Sequence, residues 1–173
     1  MEFADPVREI AQDFEPRRVG PVRPPSTAFE SPAMAPARKT FTRDEANALI
    51  PYLQQTVDAL QLQIKEVVRL KRQIEILNLI CDSPVSPQNL DFQEYLQKTA
   101  RYHQLVGQAD ALIKEIRGKG CLLRDLHSGI VDFYAEMGGR VVFLCWRRGE
   151  GEITYWHPVD QGYGQRRVIA GNS

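Results

Sequence analysis

The stretch Ile130-Val131-Asp132-Phe133-Tyr134-Ala135-Glu136-Met137-Gly138-Gly139-Arg140-Val141-Val142-Phe143-Leu144-Cys145-Trp146-Arg147 reads as two strands around a tight turn. Side-chain character alternates with period two on both sides of Gly138-Gly139, a pair that readily supplies the positive φ angles of a two-residue hairpin loop. That loop predicts a register in which Asp132 faces Cys145, Tyr134 faces Phe143 and Glu136 faces Val141. One face then carries Val131, Phe133, Ala135, Val142, Leu144 and Trp146; it is wholly apolar and should pack on a helical layer. The other carries Asp132, Tyr134, Glu136, Val141, Phe143 and Cys145, and is expected to be a pocket wall. Asp132 is the informative residue of that wall, because a carboxylate is poorly suited to mid-strand and costly to bury unpaired.

Downstream, residues 152–157 form the next expected strand, joined through Arg148-Gly149-Glu150-Gly151. A three-residue loop there, with Gly151 in the left-handed conformation, would set Cys145 against Tyr155 and bring His157 to the side of Asp132; a two- or four-residue loop would send His157 to the opposite side. Residues 165–169 are a candidate fourth strand, and residues 39–41 a candidate edge pairing.

Upstream the period changes to that of helices. Thr42 with Glu45 makes a capping box, and Asp44 and Glu45 suit the positive helix end. Apolar residues then recur at Leu49, Leu53, Val57, Leu60, Ile64, Val67, Leu70, Ile74 and Leu77, the spacing of a coiled-coil-like seam. Pro51 lies inside that run, which predicts a bend over residues 47–51. Pro84 and Pro87 mark a breaker over residues 81–89. A second stripe follows through Phe92, Tyr95, Leu96, Thr99, Tyr102, Val106, Ala109, Leu112, Ile113 and Ile116, stopping at Gly118-Lys119-Gly120. Two striped helices with a short connection should fold back as an antiparallel hairpin, each arm roughly 40–55 Å long.

Residues 1–40 hold seven of the eleven prolines and show no helix or strand period, and are read as a disordered tail with short partner-binding pieces such as residues 7–14 as the alternative. Deleting them should leave the melting temperature nearly unchanged in a thermal scan; a large drop would show that the tail packs on the rest.

Lys plus Arg equal Asp plus Glu at 22 each, and the balance persists segment by segment, so no basic footprint for duplex nucleic acid is present. Cys81, Cys121 and Cys145 are too widely spaced for a disulfide framework or a cysteine-rich structural zinc site, which fits a reducing cytoplasm. No apolar run reaches the length of a membrane span, and the first 18 residues lack the apolar core of a signal peptide.

Candidate ligand or interaction residues are Asp125, Asp132, Cys145, Trp146, Arg147, Glu150, Tyr155, Trp156, His157 and Arg166. The structural reading pairs Asp132 with Arg124, Arg140, Arg147 or Arg166, leaves Cys145 inert and makes His157 a capping residue before Pro158. Asp132, Cys145 and His157 on one face would instead make a small-molecule or metal site. Cys145 with His157 as a nucleophilic pair has no local signature to support it. Arginines beside Trp146, Tyr155, Trp156 and Tyr163 suit a protein interface, and secondarily RNA or nucleotide stacking. No cofactor or resident metal is assigned, and no catalytic residue can be named.

The segments Phe41-Thr42, Glu45-Ala46-Asn47, Leu49, Pro51, Gly120-Cys121, Asp125, Val131-Asp132-Phe133, Gly139-Arg140, Leu144-Cys145-Trp146, Gly149-Glu150, Ile153, Tyr155-Trp156-His157, Gly162 and Arg166 resemble domain of unknown function family 2203, a small bacterial family of uncharacterised domains. The resemblance covers residues 39–169 and is carried most specifically by Leu-Cys-Trp and Tyr-Trp-His. It implies a bacterial, cytoplasmic protein and transfers no catalytic residue.

The expectation is therefore an α+β protein: a tail over residues 1–40, a helical hairpin over 41–119, and an antiparallel sheet of three to four strands over 120–173, with 41–173 as one domain. A non-enzymatic binding or assembly factor, acting with a protein partner or as a homo-oligomer, is the first functional reading. The alternative is a small-molecule or metal-binding protein, hydrolytic or not, using the Asp132 and Cys145 face. A flat aromatic and arginine surface would favour the first, a deep polar pocket the second.

Overall fold

The structure, a computed structural model, describes residues 39–80 and 88–170. The expected tail, except for Lys39 and Thr40, and the expected breaker over 81–87 lie outside the described residues.

Thr42 caps the first helix, α1 (Arg43–Ala48), through the expected capping box: Glu45 N–H donates to Thr42 Oγ1 at 3.2 Å and Thr42 N–H to Glu45 Oε2 at 2.8 Å. The helix is interrupted at Leu49, inside the span 47–51 where the bend is expected. Leu49 closes α1, its N–H donating to the Ala46 carbonyl at 3.1 Å, and α2 restarts as Ile50–Ile80. Pro51 thereby falls in the first turn of α2, where its missing N–H sacrifices no helical bond and its fixed φ is already suitable. Asn89 caps α3 (Leu90–Gly118) by accepting from the N–H groups of Asp91 and Phe92. Gly120, at φ +91°, takes the chain out of α3, its N–H bonded to the Arg117 carbonyl at 2.8 Å.

The two long helices pack along the expected stripes. Leu53, Val57 and Leu60 of α2 share one buried cluster with Ala109, Ile113 and Ile116 of α3, while Val67 and Leu70 share a second with Tyr102 and Leu105. The partners run in opposite chain order, as an antiparallel pair requires. Leu105 was not in the expected stripe; it is buried, whereas the neighbouring Val106 is only half-buried and Leu96 is 50% exposed. At 31 and 29 residues each helix is about 45 Å long.

The sheet has five strands in the order β1-β2-β3-β4-β5, every neighbouring pair antiparallel: β1 Cys121–Asp125, β2 Ile130–Met137, β3 Arg140–Arg147, β4 Tyr155–Pro158 and β5 Arg167–Val168. This corrects the expected count of three to four. The extra strand is β1, whose Arg124-Asp125 end obscures the alternation because a bulge between Leu123 and Asp125 leaves Arg124 without a Cα partner on β2. The β2–β3 register is the expected one, Asp132 against Cys145, with Gly138 and Gly139 at φ +58° and +72° in the turn. Residues 39–41 do not form a strand, but Phe41 N–H donates to the Tyr134 carbonyl at 2.7 Å, just beyond the end of β1.

All six residues of the predicted apolar face lie in the main cluster with the helix residues, joined by Phe41, Cys121, Leu123 and Ile153. Full burial of each large side chain there contributes about 1.5–3 kcal/mol. Polar side chains of α1 and α2 fasten the connecting loops to this layer. Arg43 Nε donates to the Ile153 carbonyl at 2.7 Å while Asn47 Oδ1 accepts from Ile153 N–H at 2.8 Å. Gln54 Oε1 accepts from Gly149 N–H, Gln61 donates to the carbonyls of Leu126 and His127, and Asp58 pairs with Arg148. The helices therefore hold one face of the sheet, and the opposite face is left for other use.

Candidate functional site

On that opposite face β2, β3 and β4 each contribute one residue to a buried cluster. Cys145 pairs with Tyr155 and Phe143 with His157, the register expected of a three-residue loop, although the connection runs over residues 148–154 with its positive φ at Gly149 and not at Gly151; His157 therefore comes to the side of Asp132. Asp132 and His157 are each 2% exposed and Cys145 is 0% exposed. One donor atom from each lies within 4.8 Å of the others.

Arg124 is the arginine that meets Asp132. Leaving the ladder at the bulge, its Nε donates to Asp132 Oδ2 at 2.8 Å, and its guanidinium lies 4.6 Å from the Phe143 ring centre. Phe143 in turn stacks against Tyr134 and His157, with ring centres 4.6 and 5.4 Å away. His157 Nδ1 is 2.9 Å from the Pro158 carbonyl, an arrangement that requires Nδ1 to donate. Its other nitrogen, Nε2, lies 3.3 Å from Asp132 Oδ2, within ion-pair reach but off the line of a hydrogen bond. Asp132 Oδ1 makes no well-aligned hydrogen bond, although the Cys145 thiol and the His157 ring both act on the carboxylate at close range.

The electrostatics follow from burial and from the one carboxylate. Burial pushes the Cys145 thiol far above its ordinary range, and the Asp132 charge adds to the effect. Burial opposes the charging of His157, but the Asp132 carboxylate and the Pro158 carbonyl more than offset this and its pKa is raised. A fully buried thiol held in its neutral form is the opposite of an attacking thiolate, so the arrangement gives no support to nucleophilic catalysis by Cys145.

Above the cluster opens a cleft of about 690 Å³, with Asp132 and His157 in its floor and Arg124, Asp125, Arg147 and Tyr163 in its walls. Asp125 shapes the rim: its Oδ1 accepts from the N–H groups of His127 at 2.8 Å and Ser128 at 3.4 Å, closing the β1–β2 connection. Arg147 is exposed, with Nη1 3.3 Å from the Tyr163 hydroxyl.

The other candidates are fastened elsewhere. Trp146 must be removed from the expected interaction surface: it is 0% exposed on the helix-facing side, its Nε1 donating to the Glu150 carbonyl at 2.8 Å. Alternation on β3 puts it opposite Cys145. Trp156 is half-buried against the same core, with the Arg167 guanidinium 5.3 Å from its ring centre. Glu150 holds the loop, accepting from Arg147 N–H at 2.8 Å and from Arg166 Nη1 at 2.9 Å. Arg166 is sandwiched between Tyr155 and Tyr163 at 4.3 and 3.9 Å, so it is a packed ion pair and not a free cation.

Sequence reasoning did not select Ser128, Val159, Asp160, Gln161 and Gly162 as site residues, yet they line the cleft, four of them in the segment after β4. The available signal was the turn-rich Asp160-Gln161-Gly162 directly following His157-Pro158, which brings the chain back across the sheet.

These features define an α+β protein in which a helical layer covers one face of an antiparallel meander and the other face carries a buried Asp-Cys-His cluster beneath a cleft. The chain belongs to the family described as Uncharacterized conserved protein (DUF2203), whose model matches residues 39–169. No curated protein and no solved structure matches it.

Proposed function

We propose that this chain is a small-molecule-binding protein whose site is the cleft over Asp132, Cys145 and His157. The observation that carries this reading is the convergence of two buried polar side chains, Asp132 and His157, both with unsatisfied atoms, on an open cavity of about 690 Å³, with Cys145 buried beside them. Ligand sites commonly occupy about 300–1,000 Å³ with a few convergent polar groups. Asp132 Oδ1 accepts only, Gln161 Oε1 is buried and unpartnered, and Arg147 donates from the rim. The ligand this set would take is a small polar molecule carrying an acidic group toward Arg147 and a hydrogen-bond donor toward Gln161 Oε1.

The reading is tested by thermal scans of the full chain with amino acids, hydroxy acids, phosphate esters and nucleotides, each with and without Zn²⁺. At least one class should raise the melting temperature, since a ligand at 100 times its Kd stabilises by about 2.7 kcal/mol. Arg147→Ala should weaken that response. No shift from any class at millimolar concentration, under either condition, would overturn it.

A protein partner or homo-oligomer remains the second reading, favoured by Ile76, Leu79 and Ile80 at the end of α2 and Leu90 and Leu96 at the start of α3, all 50–79% exposed. The mass of the intact chain in solution tests it. Both readings take residues 41–173 as one domain, supported by a main cluster drawn from helices and sheet alike. Cytoplasmic residence is part of the same proposal, supported by the free thiols of Cys121 and Cys145. Among the described residues no helix is long and apolar enough to cross a membrane.

A further inference from the structure

We infer that Asp132, Cys145 and His157 form a binding site for one thiophilic divalent ion of the zinc type, held by Asp132 Oδ1, Cys145 Sγ and His157 Nε2 with its remaining position open to the cleft. The inference rests on reading the cleft as the functional site, and names what occupies its floor.

The donor atoms left over after every other contact is assigned are the ones such an ion needs. Arg124 occupies Asp132 Oδ2 and leaves Oδ1 without a well-aligned hydrogen bond. Donation from His157 Nδ1 to the Pro158 carbonyl places the lone pair of the neutral ring on Nε2, which makes no well-aligned hydrogen bond. Burying either atom without a partner is unfavourable, because it loses its hydrogen bonds to water and gains none in return. A structural ion pair between Arg124 and Asp132 accounts for Oδ2 alone. It leaves two lone-pair atoms, Nε2 and Oδ2, 3.3 Å apart with nothing positive between them unless a proton or a metal ion supplies it.

The surrounding contacts are those that metal ligands usually have. A ligating imidazole commonly donates its second N–H to a backbone carbonyl, and a ligating carboxylate is itself hydrogen-bonded by a neighbour. Pro158 and Arg124 fill those two roles. Thiolate and imidazole donors select zinc-like ions over calcium or magnesium, and three protein ligands with one open position is the arrangement of zinc sites that engage an exogenous ligand. Bonds of about 2.0–2.3 Å in a tetrahedral site place donors about 3.3–3.8 Å apart. One carboxylate oxygen of Asp132, Cys145 Sγ and a ring nitrogen of His157 lie within 4.8 Å of one another on three adjacent strands, a spread that small side-chain rotations would close around an ion. Binding converts the Cys145 thiol to thiolate and releases its proton to solvent, together with the Nε2 proton of any protonated His157. The ion, one thiolate and one carboxylate then sum to zero charge, so the Arg124 cation remains compatible with the loaded site.

The test is titration of the intact, reduced and metal-stripped chain with Co²⁺. We expect saturation at one equivalent, visible bands of a tetrahedral ion, a thiolate-to-cobalt charge-transfer band, and displacement of all of these by Zn²⁺. Cys145→Ser should abolish the charge-transfer band, Asp132→Asn and His157→Gln should weaken binding at least about tenfold, and Cys81→Ser should change nothing. X-ray absorption of the wild-type chain loaded with one equivalent of Zn²⁺ needs no variant to fold, and should show one sulfur among nitrogen and oxygen neighbours. No saturable band, a band lost with Cys81, or a first shell without sulfur would overturn the site. A ligand-induced thermal shift with no cobalt band would retain the cleft as a binding site and remove the metal; a cobalt band without any ligand shift would do the reverse.

Discussion

Replacing Trp146 with alanine is expected to destabilise the fold by about 3–5 kcal/mol, the range for large aromatic truncations in a packed core. Trp146 heads the fully buried side chains by volume and lies in the main cluster between β3 and the helices. Its loss removes the indole contacts, opens a cavity and deprives the Glu150 carbonyl of the Nε1 donor at 2.8 Å. Since small proteins are stable by about 5–15 kcal/mol in total, the variant should be close to unfolding. Urea denaturation followed by far-ultraviolet circular dichroism measures the difference, and Trp156→Ala provides the contrast, because Trp156 is only half-buried and should cost less. Wild-type-like stability of Trp146→Ala would mean that β3 presents its other face to the helices.

The second large effect is expected at Asp132. Removing one partner of a buried ion pair costs about 3–5 kcal/mol; Arg124 keeps 35% of its side chain in solvent, which reduces the figure for Asp132→Asn to about 2–3 kcal/mol. Asp160→Asn, at an exposed position on the cleft rim, should stay within about 0.5 kcal/mol. A double-mutant cycle with Arg124→Gln isolates the pair, since a coupling near zero would show that Arg124 does not hold the carboxylate. Equal effects of Asp132→Asn and Asp160→Asn would remove the energetic basis for a built site on this face.

Much of the fold was legible because it is written in nearest-neighbour chemistry. Thr42 and Glu45 cap a helix through atoms three residues apart, the glycines at 138 and 139 impose one hairpin register, and the apolar stripes of α2 and α3 repeat with the helix period. The face containing Asp132 and Cys145 followed from the turn alone. Pro51 marked the helix interruption, which the structure places at Leu49, so that Pro51 is a first-turn residue of α2. Arg124-Asp125 disguised β1 because a bulge interrupts its alternation.

The sequence by itself determined an α+β chain, the hairpin register, the buried face of Trp146 and the opposition of Asp132 to Cys145. Only the tertiary structure decided that His157 joins them: the β3–β4 connection spans residues 148–154, longer than any of the three loops considered and with its positive φ at Gly149, yet it pairs Cys145 with Tyr155. It likewise chose Arg124 among four candidate arginines, since a bulge aims that side chain back across the sheet while Glu150 and Tyr163 engage Arg166. Of the cleft, the sequence marked one wall, the mixed face of β2 and β3, and a turn at Asp160-Gln161-Gly162, but not that the two enclose a space. It exists because the segment after β4 returns over the outer face of β2 and β3, and which residues of distant segments come to share a space is set by packing, not by spacing along the chain.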